Sequence, residues 1–270
     1  MSRWGQVEQF GRSDQPPVLL MHSLATHGAM WSAQIPFWAR SFRLIVPDLP
    51  GHGGTPADRS LHRFDDYASS MLRLLDSLGI ERTALVGLSL GGMIAMALAL
   101  RRPDRVSSVV LAHTFARVGA ATLPVWQERR QAVESQGMES QVTPTLGRWF
   151  TAEFRASAPM TVDWIADMIR ATQPAGYDAV AESIQHLDYL DQLAAIQHPT
   201  LVVAGSEDKG ATPEIAQEMC SRLPKGRLLI LPNAGHLGCV DQPVAFTERV
   251  GEFLEETRYT SASLPTGARQ

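Results

Sequence analysis

The sequence is poor in cysteine, has no excess of basic residues and lacks a long unbroken apolar run. Only two of its 270 residues are cysteines, Cys220 and Cys239, which argues against a disulfide-stabilised secreted scaffold. Lys and Arg number 24 against 28 Asp and Glu, so a formal net charge of -4 provides no basic field for nucleic acid or an anionic membrane. We therefore expect a small-molecule partner, and neither nucleic acid nor membrane.

Two further absences bear on location. The first fifteen residues, MSRWGQVEQFGRSDQ, lack the apolar core of a signal peptide. The longest apolar run, 84–100, is broken by Gly87, Gly91 and Gly92 and is not typical of a membrane span. We expect a cytoplasmic protein. The segment 257–270, rich in Ser, Thr and Gly, is expected to be a flexible tail.

What the sequence does contain is enough apolar material for a full core. It is 44% hydrophobic and 19% charged, which predicts one domain with an insertion. Short apolar runs alternate with helix-like segments, a pattern typical of a mostly parallel, doubly wound α/β sheet. The predicted strands are 17–22, 42–46, 82–86, 106–112, 200–204 and 227–231, and the predicted helices include 64–78, 213–223 and 243–254.

This alternation stops in the middle of the chain. Between 114 and 190 the apolar residues fall at helical intervals, interrupted by Pro124, Pro144, Pro159 and Pro174. We predict that 114–190 is a helical lid inserted into a core formed by 1–113 and 191–256.

The segment 83–102, TALVGLSLGGMIAMALALRR, joins an apolar β-branched run to a helix-forming run through a glycine-rich turn. Its Gly-Leu-Ser-Leu-Gly matches the G-x-S-x-G nucleophile elbow, in which a Cβ at Gly87 or Gly91 would collide with neighbouring backbone. Ser89 is the predicted nucleophile. On the motif alone, a chance match within a buried strand and a core helix stays open, whereas a dinucleotide fingerprint would require glycine at position 89.

Two backbone groups are predicted to bind an oxyanion. The N–H of Leu90 stands at a helix N-terminus, where it has no partner inside the helix. Ser23-Leu24-Ala25-Thr26 follows the first predicted strand, and a loop leaving a central strand is where such sites take their second donor. We assign that role to the N–H of Leu24.

A serine nucleophile needs a base, and the base needs an orienting acid. Two loops at the carboxyl ends of predicted strands supply them, Gly205-Ser206-Glu207-Asp208 and Asn233-Ala234-Gly235-His236. We predict His236 as the base, because most of the other seven histidines precede the elbow or lie in the predicted lid. The residues alone leave both Asp208 and Glu207 as candidates for the acid.

A metal site is the alternative for the histidines near the N-terminus. His22, His27, His52 and Asp48 could be imagined as ligands, but their spacing matches no metal signature. A histidine flanked by glycines is more often a hydrogen-bonding loop residue. We predict no metal.

Together these features resemble the α/β-hydrolase family over nearly the whole chain, and within it the 3-oxoadipate enol-lactonases. The shared residues are Ser23-Leu24, where most relatives have Gly in an HG motif, Gly87-Leu88-Ser89-Leu90-Gly91-Gly92, Trp126, Arg148-Trp149-Phe150-Thr151, Pro174-x-Gly176-Tyr177, Pro199-Thr200-Leu201 with Gly205 and Asp208, and His236-Leu237.

The resemblance implies an α/β-hydrolase fold with a helical lid, Asp208 as the acid, no cofactor, and hydrolysis of a small lactone or ester in aromatic catabolism. An enol-lactone of this class carries a carboxylate, so the pocket should contain a cation or several donors. Arg129 is the first choice because it follows Trp126 by three positions, and Arg148 is the second. The candidate substrate-binding residues are Ser23, His113, Trp126, Arg129, Arg148 and Trp149. Ordinary packing or solvation stays the alternative for the lid residues among them.

The chain departs from those lactonases at three places. It has Asp48-Leu49-Pro50 where they have Asp-Thr-Arg, His113-Thr114 where they have Asn-Thr, and Gly238-Cys239 where they have Ser-Asn. The last two are expected at a pocket wall, so the substrate could differ. A carboxylesterase, thioesterase or carbon–carbon bond hydrolase would use the same triad, and a hydrolase-fold receptor for a small signal is the alternative of another class.

Overall fold

A computed structural model describes residues 5–258 of the chain and contains a seven-stranded sheet. The strands are β1 (Val7–Phe10), β2 (Pro17–Met21), β3 (Arg43–Pro47), β4 (Thr83–Leu88), β5 (Val106–Ala112), β6 (Thr200–Gly205) and β7 (Gly226–Leu231). They lie in the order β1-β3-β2-β4-β5-β6-β7, and β1 pairs antiparallel with β3 while the other neighbours are parallel. The predicted mostly parallel, doubly wound sheet is confirmed.

The six predicted strands match observed ones, with ends that differ by no more than two residues. The sequence missed β1, because Val-Glu-Gln-Phe is short and half-exposed at the sheet edge and lacks the apolar run of a strand buried on both faces. β4 and β5, in contrast, are buried at every residue. The other edge strand, β7, is also half-exposed but contains the apolar run Leu-Leu-Ile-Leu, so the absence of such a run is what hides β1 in the sequence.

Helices cover both faces of the sheet. They are α1 (Ile35–Trp38), α2 (Phe64–Ser77), α3 (Leu90–Arg101), α9 (Pro213–Arg222), α10 (Gly238–Asp241) and α11 (Pro243–Glu256). α3 is apolar on all sides and packs between β4, β5 and α2, so its first ten residues are buried. α2 ends before Gly79, whose φ of 66° is the left-handed conformation of a helix C-cap, as its sequence predicted.

The predicted lid region contains five helices between β5 and β6. They are α4 (Leu123–Gln136), α5 (Glu139–Trp149), α6 (Ala152–Ser157), α7 (Pro159–Ala171) and α8 (Pro174–Ile184). Three of the four prolines begin helices, because proline's fixed φ and missing N–H suit the first turn. The expectation that Pro144 interrupts a helix is wrong, since it lies inside α5.

Within residues 5–258 no helix combines the length and the apolar character needed to cross a bilayer.

Of the predicted flexible tail, only Thr257 and Arg258 fall within the described residues, and 259–270 lie outside them.

Candidate active site

Ser89 lies at the junction of β4 and α3 in a strained backbone conformation. Its φ of 53° and ψ of -108° are rarely adopted by a residue with a side chain. A Cβ on Gly87 would lie 2.2 Å from the carbonyl oxygen of Gly91, and a Cβ on Gly91 would lie 2.1 Å from that of Met21. Only glycine fits at either position, so the sharp turn predicted from the motif is present.

The side chains of Ser89, His236 and Asp208 form a continuous hydrogen-bonded chain. Ser89 Oγ lies 3.0 Å from His236 Nε2, and His236 Nδ1 lies 2.8 Å from Asp208 Oδ2. With its proton on Nδ1, the imidazole donates to the carboxylate and presents an unprotonated Nε2 to the serine hydroxyl. The arrangement can therefore remove a proton from Ser89.

Asp208 is held as an anion. Its Oδ1 accepts hydrogen bonds from the backbone N–H groups of Gly210 and Ala211, at 2.8 and 3.0 Å. Burial alone would favour the neutral acid, but the electrostatic interaction with His236 and the hydrogen bonds from both neighbouring imidazoles hold the pKa of Asp208 well below its usual value. Glu207, the other candidate acid, is exposed, and its side chain contacts Ser206 Oγ at 3.4 Å. The geometry brings Asp208, and not Glu207, to His236.

The two predicted oxyanion donors line the same cavity as Ser89. Leu90 is the first residue of α3, where the N–H has no intrahelical partner. The loop that carries Leu24 is fixed beside the elbow, because the N–H of Gly91 donates to the carbonyl of His22 at 3.1 Å. Their role as donors stays a prediction.

Ser89 lines a cavity of about 340 Å³, whose wall also contains residues of α4, α5 and α8. Five of the six candidate substrate-binding residues line it, namely Ser23, Trp126, Arg129, Arg148 and Trp149. The indole of Trp149 is stacked on the His236 imidazole, with 6.1 Å between ring centroids. The size suits a small organic ligand.

The expectation that His113 lines this cavity is wrong. Its side chain is fully buried behind Asp208, with Nδ1 3.4 Å from Oδ2. The backbone turns at a φ of 48° after β5, and the ring stacks on Phe246 instead of entering the cavity. Gly238 and Cys239 are also buried and do not line the cavity, so neither of the departures expected at a pocket wall is found there.

Arg129 and Arg148 both line the cavity, and neither has an acidic partner among residues 5–258. The Arg129 guanidinium lies 4.5 Å from the ring centroid of Trp126, and Arg148 Nη2 donates to Thr145 Oγ1 at 2.8 Å. Within residues 5–258 neither forms an ion pair. Burial and the charge of Arg129 lower the pKa of Arg148 to about 10, and burial lowers the pKa of Arg129. Two arginines without an acidic partner among the described residues thus share the cavity.

Arg130, which follows Arg129 in the chain, has a different environment. Arg130 Nε donates to Asp178 at 2.6 Å, and its guanidinium also pairs with Glu182. Arg130 does not line the cavity. Being adjacent to Arg129 in α4, it provides a matched comparison for that residue.

Sequence reasoning missed Tyr177 and Thr145 as cavity residues. Tyr177 belongs to α8, lines the cavity and donates its hydroxyl to Gln141 at 3.3 Å. The helical spacing of Thr145 and Arg148 could have identified Thr145, because residues three apart share a helix face. For Tyr177 the available signal is the Pro174-x-Gly176-Tyr177 motif, which the sequence analysis gives as a shared feature but not as part of the site.

The residues considered as metal ligands near the N-terminus bind backbone groups instead. His22 Nδ1 donates to the carbonyl of Ser23, and its Nε2 accepts from the N–H of Leu49 at 2.8 Å. The carboxylate of Asp48 accepts from Gly28 and Gly54, and His52 donates to the carbonyl of Pro50. Across the part of the chain that the structure describes, no cluster of three or more His, Cys, Asp or Glu could hold a metal ion.

Comparison with known proteins agrees with this architecture. The family model of the alpha/beta hydrolase fold matches residues 16–243. A 3-oxoadipate enol-lactonase of Acinetobacter baylyi is 32% identical over 246 residues, 91% of each chain. The crystal structure of an enol-lactonase from Burkholderia xenovorans has a TM-score of 0.89 at 31% identity, covering 93% of this chain and 96% of that one. A malate-bound esterase from Thermogutta terrifontis has a TM-score of 0.89 at 29% identity, covering 94% of both chains.

The family match extends from β2 to the start of α11 and so includes the elbow, the five helices between β5 and β6, and the loops that carry Asp208 and His236. The chain therefore belongs to the α/β-hydrolase fold family.

Proposed function

We propose that this protein is a serine hydrolase that opens a small carboxylate-bearing lactone or ester, of the enol-lactone type, through an acyl-enzyme on Ser89. The observation that carries the proposal is the combination, in one cavity, of the Ser89–His236–Asp208 chain with Arg129 and Arg148, two cations without an acidic partner in the part of the chain that the structure describes. Relatives named enol-lactonases at 31–32% identity support the same substrate class.

Acylation begins with transfer of the Ser89 proton to His236 Nε2 as Oγ attacks the carbonyl carbon. The carbonyl oxygen becomes an anion, and the N–H groups of Leu24 and Leu90 are assigned to it, each contributing about 3 kcal/mol of barrier lowering. Asp208 holds the imidazole tautomer and stabilises the imidazolium. The ring or ester C–O bond then breaks, and the leaving oxygen takes the proton from His236.

Deacylation repeats these steps with water. His236 removes a proton from a water molecule as the water oxygen attacks the acyl carbon. The bond between Ser89 Oγ and this carbon then breaks, and Oγ regains a proton from His236. One water is consumed and a carboxylic acid is released. The residues of the chain perform every proton transfer in this scheme.

The charge of the cavity favours an anionic substrate. Desolvating a guanidinium without a counter-ion is unfavourable, and a substrate carboxylate placed between Arg129 and Arg148 would supply that counter-ion with charge-assisted hydrogen bonds. The stacked indole of Trp126 keeps Arg129 at the cavity wall. A neutral ester would leave both cations uncompensated.

The test is steady-state hydrolysis of 3-oxoadipate enol-lactone beside a simple aryl ester, by the wild type and by Ser89→Ala. We expect a higher kcat/KM for the lactone and loss of both activities in the variant. An irreversible serine-directed phosphonate should label Ser89 alone. Retention by Ser89→Ala of about a tenth of wild-type kcat or more would remove Ser89 from the nucleophile role. Wild-type binding without turnover would favour the receptor alternative.

A further inference from the structure

Two buried histidines approach the same oxygen of Asp208. Oδ2 lies 2.8 Å from His236 Nδ1 and 3.4 Å from His113 Nδ1. The side chains of His113 and Asp208 are completely buried, whereas that of His236 is 10% exposed at the cavity. The proposed mechanism uses only His236, so the second imidazole has no role in it.

The position of the His113 ring defines its protonation. A ring nitrogen next to a carboxylate oxygen is an N–H donor, so the proton is on Nδ1. Its Nε2 has no hydrogen-bond partner among residues 5–258 and faces Gly238, where an added Cβ would lie 2.4 Å away. Burial lowers the pKa of His113 despite the opposing effect of Asp208, which favours the neutral ring. A neutral His113 also avoids repulsion with a protonated His236, whose ring centroid is 6.1 Å away.

The backbone and the ring of His113 are both held in place. The backbone N–H of His113 donates to the carbonyl of Val203 at 2.7 Å, which joins the end of β5 to β6. The imidazole stacks on Phe246 of α11, with 6.4 Å between centroids and 21° between planes. Because β6 leads directly into the Asp208 loop, these contacts place the Nδ1–H toward the carboxylate.

We propose that His113 is a positioning residue, which donates a second hydrogen bond to Asp208 from a neutral imidazole and thereby limits how strongly this carboxylate stabilises a proton on His236. A carboxylate oxygen that already accepts one hydrogen bond offers less negative potential to a second donor. The kinetic part of this inference rests on the proposed function, in which His236 is the base.

Other ionisable groups near His113, Asp208 and His236 can also change the pH profile. Asp241 of α10 accepts from the N–H of Gly235 at 2.6 Å, next to His236, and Cys239 is buried on the same helix. Lys209 follows Asp208 and lines the cavity. The variant Asp241→Asn therefore accompanies every pH profile, so that a shift caused by Asp241 is recognised.

The kinetic experiment compares His113→Leu with His113→Asn. Leucine has no donor, whereas the asparagine amide nitrogen can take the place of Nδ1, and asparagine tolerates a positive φ. We expect the Leu variant to move the acidic limb of the kcat/KM profile upward by about half to one pH unit and to lower its plateau. The Asn variant should return the limb towards its wild-type position. A Leu profile that superimposes on that of the wild type, or equal shifts in both variants, would overturn the proposal.

A second measurement does not depend on turnover, and it uses a variant only to assign one resonance. In the folded wild-type chain labelled with ¹⁵N-histidine, NMR should show the His113 proton on Nδ1 and a neutral ring at about pH 7 and above. Its resonance is assigned by its loss in His113→Asn. A proton on Nε2, or a charged ring in that range, would refute the donor role. If Ser89→Ala kept activity while His113 showed the Nδ1–H tautomer, the proposed function would fail and the hydrogen bond to Asp208 would stand.

Discussion

The backbone N–H of His236 donates a hydrogen bond to the carbonyl oxygen of Trp149, at 2.7 Å. Trp149 is the last residue of α5, so its carbonyl has no partner in the helix and is free to accept this bond. The indole of the same residue stacks on the His236 ring. One residue between β5 and β6 thus fixes both the backbone and the imidazole of the proposed base.

Replacing Trp149 by alanine should reduce activity more than a similar substitution elsewhere among these helices. The backbone bond can persist, but the imidazole loses the ring that packs on it, and we expect kcat/KM to fall about tenfold or more. Trp149→Phe should retain most of the activity, because an aromatic ring stays in place.

Trp164→Ala in α7 is the control for this substitution. Trp164 is partly buried and does not line the cavity. Both alanine variants should lower the unfolding temperature, but only Trp149→Ala should change the kinetics once each protein is shown to be folded. Equal kinetic losses would contradict a specific role for Trp149.

Asp208→Asn should cost far more activity than Glu207→Gln. The asparagine can occupy the same position but favours the wrong imidazole tautomer, and we expect a loss of roughly 10⁴ in kcat by comparison with other triads. Glu207 is exposed, so Glu207→Gln should have little effect. Steady-state kinetics of both variants would contradict the assignment if the larger loss occurred at Glu207.

Arg129→Gln and Arg148→Gln should discriminate between a carboxylate substrate and its methyl ester. A lost charge-assisted hydrogen bond should lower kcat/KM for the free acid by about 10- to 100-fold, with a much smaller effect on the ester.

Arg130→Gln is the matched control for these two substitutions, because Arg130 pairs with Asp178 and does not line the cavity. It should leave the ratio of acid to ester hydrolysis unchanged. Equal losses for acid and ester in both cavity variants, or no loss, would show that neither arginine recognises a carboxylate. The protein would then be an esterase for neutral substrates.

Asp241 should make the protein less stable as pH rises. Burial, only partly opposed by the hydrogen bond from Gly235, raises the pKa of Asp241 from 3.8 to about 7. The folded state therefore keeps a proton that the unfolded state has lost, so the free energy of unfolding falls between these two pH values and is constant for this group above them. The total change is on the order of 4 kcal/mol.

Asp241→Asn removes this titration while keeping an oxygen that can accept from Gly235. Relative to the wild type, it should gain stability as pH rises from about 4 to about 7, with no further gain beyond. Thermal unfolding across this range checks the prediction. A difference between the two proteins that does not vary with pH would contradict a raised pKa at Asp241.

The sequence by itself determined six of the seven strands and the elbow, because both depend on local patterns. A strand buried on both faces must be apolar at successive positions, as in Val106–Ala112, and this pattern can be recognised without knowing its neighbours. The glycines around Ser89 likewise report a turn whose constraints come from residues close in sequence and from the adjacent strand. Even the order of strands and loops indicated that residues near 208 and 236 would share an edge with Ser89.

Only the tertiary structure decided which side chains meet at that edge. Glu207 and Asp208 are adjacent and chemically alike, and the bonds from Gly210 and Ala211 turn one of them toward His236. His113 follows a central strand, as a cavity residue would, but a left-handed backbone turn and the ring of Phe246 direct it behind Asp208. Arg129 and Arg130 are neighbours in α4 and point in different directions around the helix axis. Arg130 pairs with Asp178, whereas Arg129 lies over Trp126 and has no acidic partner among the described residues. Such choices depend on contacts between residues far apart in the chain, and local sequence patterns carry no information about them.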